Sequence, residues 1–219
     1  VHDVLAAFCD PARTHARTYD QLLAIAEERW SDDLARFRPQ LEEARRDLFA
    51  LLQAWWELEG CAIAARSPLV PEVVAVERKF LIDVAGHEVA GVIDRIDRSD
   101  DGLEITDYKT GKRPPPPEEV AEDIQLALYH LAACRDPDLA ALGRPCRLRL
   151  LYVRSGKVVE QPLRPDHEAR TEARVREAAV SILAERFAPS PEADCRTCDF
   201  HRLCPLQPEG RDTEVAAWA

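Results

Sequence analysis

Three consecutive segments rich in β-branched residues, each bounded by a turn signal, constrain the fold of this chain most strongly. They cover residues 73–83, 88–97 and 103–109, with Ala-Gly-His at residues 85–87 and Ser-Asp-Asp-Gly at residues 99–102 between them. Segments of this length and composition predict β-strands, and the short turns predict that consecutive strands pair antiparallel. The sequence therefore predicts a three-stranded antiparallel meander in the middle of the chain.

Helical patterns and further strand-like segments surround this meander. Residues 1–65 carry many apolar side chains at three- and four-residue spacing, which predicts helices. The later predicted elements are a helix behind the prolines at residues 114–117 with a buried stripe of Val120, Ile124, Leu128 and Leu131, strands over residues 147–154 and 158–161, a helix over residues 166–187 and an irregular tail. This order predicts an α/β fold with a mixed sheet flanked by helices.

Composition bounds the class of protein. No apolar segment approaches the ~20 residues that a membrane-spanning helix needs, and no secretory signal is found, so we expect no membrane partner and a cytoplasmic location. An Arg- and Ala-rich chain without methionine is typical of a high-GC bacterium. The net charge of −11 counts mildly against a nucleic-acid partner, although phosphate binding depends on local Lys and Arg. Because the first residue is Val1 rather than Met, we expect either a processed chain or a piece of a longer one, and we favour the piece.

Two carboxylates and one amine are expected to converge at the end of the meander. Side chains two residues apart in a strand point to the same side, so Asp107 and Lys109 share one side of the third strand. The hairpin through residues 99–102 brings Asp94 onto the neighbouring strand. Carboxylates suit a hard cation such as Mg²⁺ or Mn²⁺, and a lysine can stabilise charge that develops on a phosphate. An Asp-x-Lys triplet alone is also typical of a solvated edge strand.

The seven cysteines include a cluster near the C-terminus. Cys195 and Cys198 have a spacing that allows both thiolates to bind one metal centre, and Cys204 supplies a third thiolate. The spacing alone allows either zinc or an iron–sulfur cluster. Three cysteines outside the cluster are interpreted as ordinary small hydrophobic residues, namely Cys61, Cys134 and Cys146.

Five short motifs follow one another along the chain. They are His-x-x-Leu from His2, Gly-x-x-Asp ending at Asp94, Asp-Tyr-Lys-Thr-Gly from Asp107, Gln-x-x-x-Tyr from Gln125, and the cysteine cluster. In this order they resemble the RecB-like PD-(D/E)xK nucleases, which include the C-terminal nuclease domains of bacterial helicase-nucleases of the RecBCD, AddAB and AdnAB types. The resemblance implies a restriction-endonuclease-like α/β fold with an N-terminal helical region and a C-terminal cysteine-cluster tail.

The resemblance also implies a role for each matched residue. The catalytic residues would be Asp94, Asp107 and Lys109. The ligands of a Mg²⁺ or Mn²⁺ ion would be His2, Asp94, Asp107 and the backbone carbonyl of Tyr108. Gln125 and Tyr129 lie one helical turn apart and would bind the substrate, the alternative being a surface glutamine and a half-buried core tyrosine.

For the cysteine cluster, the resemblance implies a structural [4Fe-4S] cluster. Its ligands in this chain would be Cys195, Cys198 and Cys204, and the fourth cysteine is expected upstream of Val1. Zinc is the alternative occupant.

The expected function is metal-dependent hydrolysis of DNA phosphodiester bonds, by an exonuclease rather than an endonuclease. The resemblance implies single-stranded DNA as substrate, a helicase motor in the same chain or complex, and work in double-strand-break repair and recombination. The alternatives are a free-standing nuclease of CRISPR adaptation, a catalytically silent DNA-binding module and a zinc-stabilised interaction module. The expected divisions are the start of the nuclease core at residues 1–9, a helical insertion or cap at 10–65, the core at 66–188 and the cysteine tail at 189–219.

Overall fold

A computed structural model describes residues 1–14, 16–31, 38–67, 70–187, 195, 198–204 and 206–207. The chain divides into two compact units, Val1–Ala173 and Arg174–Ala219. The helices are α1 His2–Cys9, α2 Tyr19–Glu28, α3 Arg38–Trp55, α4 Cys61–Ala64, α5 Pro117–Ala121, α6 Ile124–Arg135, α7 Pro137–Ala140 and α8 His167–Leu183, with a π-helix at Trp56–Gly60 and a 3-10 helix at His201–Leu203. The strands are β1 Glu72–Val84, β2 His87–Ser99, β3 Gly102–Lys109, β4 Pro145–Tyr152 and β5 Lys157–Gln161.

The five strands form one sheet in the order β1-β2-β3-β4-β5. The pairs β1–β2 and β2–β3 are antiparallel, as the meander predicts. Strand β4 then pairs parallel to β3, because α5, α6 and α7 carry the chain back across the sheet, and β5 returns antiparallel to β4. This mixed sheet flanked by helices confirms the predicted restriction-endonuclease-like α/β class.

The main apolar core lies between the sheet and the helices at the N-terminus. Its fully buried side chains include Leu5 and Phe8 of α1, Leu22 of α2, and Leu52 and Trp55 of α3. Residues of the sheet, among them Tyr108 of β3, complete this core cluster. The expected division that sets residues 10–65 apart as an insertion or cap stays a prediction, as do the other divisions. Within the described residues, no helix is both long enough and apolar enough to span a bilayer.

The predicted helix behind the prolines differs from the observed one. Two helices, α5 and α6, replace it, because the side chain of Asp123 accepts a hydrogen bond from the Leu126 N–H at 2.9 Å and starts a new helix. The restart changes the helical phase, so Ile124 is 37% exposed rather than buried, and that part of the prediction is wrong. Val120 and Leu131 are buried as expected, whereas Leu128 is only half-buried.

A π-helical turn joins α3 to α4 and was not predicted from the sequence. The turn contains Glu59, whose carboxylate accepts a hydrogen bond from Trp55 Nε1 at 3.1 Å and faces the sheet. There Arg95 of β2 is 2% exposed and binds both Glu59 and Asp97. The Tyr108 hydroxyl accepts a hydrogen bond from the same guanidinium group. A buried ionic network therefore lies on the face of the sheet that the N-terminal helices cover.

Candidate active site

The last residues of β3 place a carboxylate and an amine side by side. Asp107 and Lys109 point to the same side of the strand, and Lys109 Nζ lies 2.7 Å from Asp107 Oδ2. The Asp107 side chain is only 3% exposed, whereas that of Lys109 is 31% exposed. The opposite side of the strand carries Tyr108, which belongs to the core. Strand alternation thus separates the reactive side chains from the packing ones.

Asp94 enters the same region from β2. Its Oδ2 atom accepts a hydrogen bond from the Tyr108 backbone N–H at 2.8 Å, which fixes the carboxylate against the edge of β3. Burial raises the pKa of Asp94, although the Tyr108 N–H opposes the shift. Burial likewise raises the pKa of Asp107, against the opposing effect of the Lys109 amine. A nearby cation would stabilise the ionised form of these two partly desolvated carboxylates.

His2 reaches this region from the first turn of α1. Its Nε2 atom lies 2.7 Å from the carbonyl oxygen of Tyr108 and 3.6 Å from Asp94 Oδ2. An imidazole nitrogen, a backbone carbonyl and a carboxylate are thereby brought together from three different elements.

Gln125 and Tyr129 extend this region along α6. Lys109 Nζ donates to Gln125 Oε1 at 2.8 Å, and Gln125 Nε2 donates to the Tyr129 hydroxyl at 2.8 Å. Burial and the nearby Asp107 raise the pKa of Tyr129, so its hydroxyl keeps its proton and points toward Asp107 Oδ1 at 3.5 Å. The four side chains form a closed ring of polar contacts.

A cavity of about 480 Å³ opens over these groups and includes one acid that is not among the residues matched by the resemblance. Glu77 of β1 lines the cavity beside His2, Asp94 and Asp107. Its backbone has a φ of 45°, which is uncommon for a residue with a side chain. The only signal in the sequence was an acidic residue on the neighbouring strand, which is equally typical of a solvated strand position.

The donor set suits a hard divalent cation, although the side chains are not yet arranged around one. Carboxylates and a backbone carbonyl are the oxygen donors that Mg²⁺ and Mn²⁺ prefer, and one imidazole is compatible with Mn²⁺. Yet His2, Asp94 and Asp107 are not a group whose ligand atoms all lie within 4.8 Å of one another. The His2 side chain is 43% exposed and so has room to adjust. The residues therefore fit a metal in their chemistry and require a small rearrangement in their positions.

The three tail cysteines belong to the second unit. Cys195 and Cys204 are half-buried and Cys198 is exposed. Pro205 and most of the surrounding tail lie outside the described residues. The three thiols do not form a group with ligand atoms within 4.8 Å of one another. The iron–sulfur interpretation and the zinc alternative both stay predictions.

Comparison with known proteins adds independent information. The sequence profile of the PD-(D/E)XK nuclease superfamily matches residues 1–205. The Gene 69 proteins of Mycobacterium phage L5 and Mycobacterium phage D29 are each 33% identical to this chain over 141 residues, or 60% of the chain. The chain spans about half the length of these curated relatives, 44% and 48% respectively.

Among solved structures, the crystal structure of SSO0001 aligns with a TM-score of 0.43 at 18% identity, over 93% of this chain and 85% of that one. The profile match extends over residues 1–205 and so includes every residue of the region around Asp107. The chain belongs to the PD-(D/E)XK nuclease superfamily.

Proposed function

We propose that this chain is a metal-dependent DNA nuclease whose active centre is formed by Asp94, Asp107 and Lys109. Membership of the superfamily supplies the class of activity, a metal-dependent nuclease. The observation that carries the assignment to these residues is the contact between Lys109 Nζ and Asp107 Oδ2 at 2.7 Å, beside Asp94 and under one open cavity. A solvated edge strand, the competing interpretation, does not account for an Asp107 side chain that is 3% exposed.

The ligands of the ion would be Asp94, Asp107, the Tyr108 carbonyl and His2. A bound Mg²⁺ or Mn²⁺ supplies Lewis acidity and lowers the pKa of a coordinated water. The chain itself contributes the placement of its carboxylates, which the Tyr108 N–H and the Lys109 amine hold in position. Rigid placement matters because the reacting groups must meet one phosphate within a few tenths of an ångström.

Lys109 provides the positive charge next to the phosphate. Its amine is oriented by Gln125 and Asp107, and it is exposed enough to reach a substrate in the cavity. A fixed ammonium group stabilises the negative charge that grows on the phosphate oxygens as the phosphodiester bond breaks. Gln125 lines the cavity that a DNA strand would enter, whereas Tyr129 is only 5% exposed and would act by orienting Gln125.

We further infer that the substrate is single-stranded DNA and that cleavage is exonucleolytic, within a helicase-nuclease that acts in double-strand-break repair. The motif order supports this narrower proposal, which includes a helicase motor as partner. A free end of single-stranded DNA would present one phosphate at a time to the cavity.

A cleavage assay on end-labelled single-stranded DNA tests the proposal. With Mg²⁺ or Mn²⁺ present, we expect Asp107→Asn and Lys109→Ala to lower the cleavage rate by about 10² or more, because each removes charge that stabilises the transition state. Lys112→Ala, which removes an exposed lysine three residues further along, is the matched control and should keep its activity. Equal rates in all four proteins would overturn the proposal. DNA binding without cleavage by the unaltered chain would favour the silent module instead.

A further inference from the structure

Three metal-binding side chains meet at the far end of α6, away from the active centre. His130 and Cys134 lie four residues apart, so they occupy the same face of the helix. They face Glu168 in the first turn of α8. One ligand atom from each of these three residues lies within 4.8 Å of the other two. In the described part of the chain, no other set of three His, Cys, Asp or Glu residues meets this condition.

Two imidazole nitrogens around this cluster lack partners. His130 Nδ1 and His167 Nε2 are both buried, and within the described residues neither has a hydrogen-bond partner. His167 is only 8% exposed, and its ring centroid is 4.8 Å from that of His130. Buried polar atoms are nearly always paired, because an unpaired one costs about 1–3 kcal/mol. Two unpaired nitrogens on neighbouring rings indicate that a ligand is bound there in the functional protein.

The donor atoms of this cluster suit a cation that accepts nitrogen and sulfur ligands. His130 Nε2 lies 3.9 Å from Cys134 Sγ, so nitrogen and sulfur donors already face each other. Burial lowers the pKa of His130 to about 4, which leaves its imidazole neutral and able to donate a lone pair near pH 7. The thiolate and carboxylate would together balance a charge of +2, while Arg135 holds Glu168 in place at 3.5 Å.

A cavity of about 220 Å³ adjoins the cluster and gives access to it. Its lining includes the three candidate ligands, His167 and the cationic Arg144, and it shares no residue with the cavity over Asp107. The cluster is therefore separate from the proposed active centre, although His130 directly follows Tyr129 on the same helix.

We propose that His130, Cys134 and Glu168 bind one zinc ion, with the fourth coordination position open to this cavity. Zinc accepts sulfur, nitrogen and carboxylate ligands in a single tetrahedral site, whereas Mg²⁺ selects oxygen donors. The interpretation of Cys134 as an ordinary small hydrophobic residue is revised accordingly. An ion here would join α6, which carries Gln125 and Tyr129, to the start of α8.

Zinc binding by the whole chain, measured by elemental analysis after equilibrium dialysis, tests the site. Excess Mg²⁺ in the buffer is included to compete with zinc for the centre around Asp107. We expect Cys134→Ser to bind one equivalent of zinc less than the unaltered chain at zinc concentrations that saturate the latter, with an affinity lower on the order of 100-fold at this site. Cys146→Ser is the matched control, because Cys146 lies outside the cluster and its Sγ instead donates to the Leu103 carbonyl at 3.3 Å.

Glu168→Gln controls for the possibility that Cys134→Ser loses zinc because it misfolds. Lys109→Ala separates this proposal from the proposed nuclease function. The Glu168 side chain is 46% exposed, so Glu168→Gln should fold normally and still bind zinc more weakly. Lys109→Ala should bind as much zinc as the unaltered chain, whatever its nuclease activity. With Co²⁺ in place of zinc, the thiolate charge-transfer absorption should be weaker in Cys134→Ser than in Cys146→Ser. Equal zinc stoichiometry and affinity in Cys134→Ser, Glu168→Gln and Cys146→Ser would overturn the proposal.

Discussion

The Lys109 amine forms an ion pair with Asp107 Oδ2 at 2.7 Å and donates a hydrogen bond to Gln125 Oε1 at 2.8 Å. Gln125 is in turn oriented by the hydroxyl of Tyr129, which accepts from its side-chain amide at 2.8 Å. An amide side chain without this third contact could rotate and present its NH₂ group to the amine, which would repel it. Each member of the ring therefore determines the orientation of the next.

Tyr129→Phe tests this dependence with the smallest possible change. We expect the cleavage rate to fall by about fivefold, because one neutral hydrogen bond contributes about 1 kcal/mol. Single-turnover rates measure the effect on the chemical step alone. A loss as large as that in Lys109→Ala would contradict the role of Tyr129 as a positioning residue, and an unchanged rate would show that Gln125 needs no support.

At the scale of elements, β1 and β2 make a close side-chain contact where the Gly-x-x-Asp motif begins, at the pair Phe80 and Gly91. The ring of Phe80 lies over Gly91, where an added Cβ atom would come within 2.5 Å of its Cζ atom. The other side of this ring meets Tyr129 edge-on, with centroids 6.1 Å apart. The glycine three residues before Asp94 thus allows an aromatic contact between the sheet and α6.

Gly91→Ala should therefore lower the free energy of unfolding by about 1–3 kcal/mol, because the extra methyl group forces the Phe80 ring out of place. Urea denaturation measures this loss. Gly111→Ala is the control, since its Cβ atom would meet Tyr152 at 3.9 Å, an ordinary contact distance. Equal stability of the two variants would show that the ring moves aside without cost.

The ionic network behind the sheet joins the π-helical turn to β2 and β3. Although burial opposes ionisation, Arg95 and Arg149 hold the pKa of Glu59 below its usual value. Arg95→Ala should lower the free energy of unfolding by about 3–5 kcal/mol, because Glu59 and Asp97 would stay buried without their partner. Arg78→Ala removes a largely exposed ion pair with Asp138 and should cost no more than about 1 kcal/mol. Similar urea midpoints for the two variants would contradict this.

The sequence predicted the meander well and the network not at all, for one physical reason. Alternation along a strand predicts which side chains share a side, so the sequence alone places Asp107 and Lys109 together. The alternation does not predict which elements cover each side of the sheet. Nothing in the alternation distinguishes Arg95 and Asp97 from a solvent-facing pair, and only the long-range packing of α3 and the π-helical turn buries them.

Helix boundaries were predictable only where the signal was local. The four prolines at residues 114–117 correctly predicted a break, whereas the new helix start at Asp123 was not predicted, because an aspartate inside a longer helix looks the same in the sequence. The residues that the resemblance assigns to the active centre lie close together in the first unit, yet their roles rest on chemistry that geometry alone does not test. The His130 cluster was not singled out, since it depends on contacts between distant parts of the chain.

For the molecule as a whole, the buried acids of the candidate site oppose folding when no cation is bound. Burial raises the pKa of Asp94 and of Asp107 in the folded state. A carboxyl group of this kind stabilises the fold below its unfolded pKa, and that contribution is lost as the pH rises through the folded pKa. Above its folded pKa each group is therefore ionised at a cost, in a chain that already carries a net charge of −11.

A bound Mg²⁺ ion and the substitution Asp107→Asn should each reduce the free-energy cost of the buried negative charges, but in different ways. At neutral pH and with chelator present, we expect Asp107→Asn to unfold at a higher temperature than the unaltered chain, because one buried negative charge is gone. Added Mg²⁺ should stabilise the unaltered chain, by about 2.7 kcal/mol at a free concentration 100 times its Kd, and should leave Asp107→Asn nearly unchanged. Thermal melts with and without Mg²⁺ measure both effects. Equal Mg²⁺-dependent shifts in the two proteins would mean that the stabilising ion binds elsewhere. If metal-free Asp107→Asn were less stable than the unaltered chain, the ion pair between Asp107 and Lys109 would contribute more to stability than the burial of the charge costs.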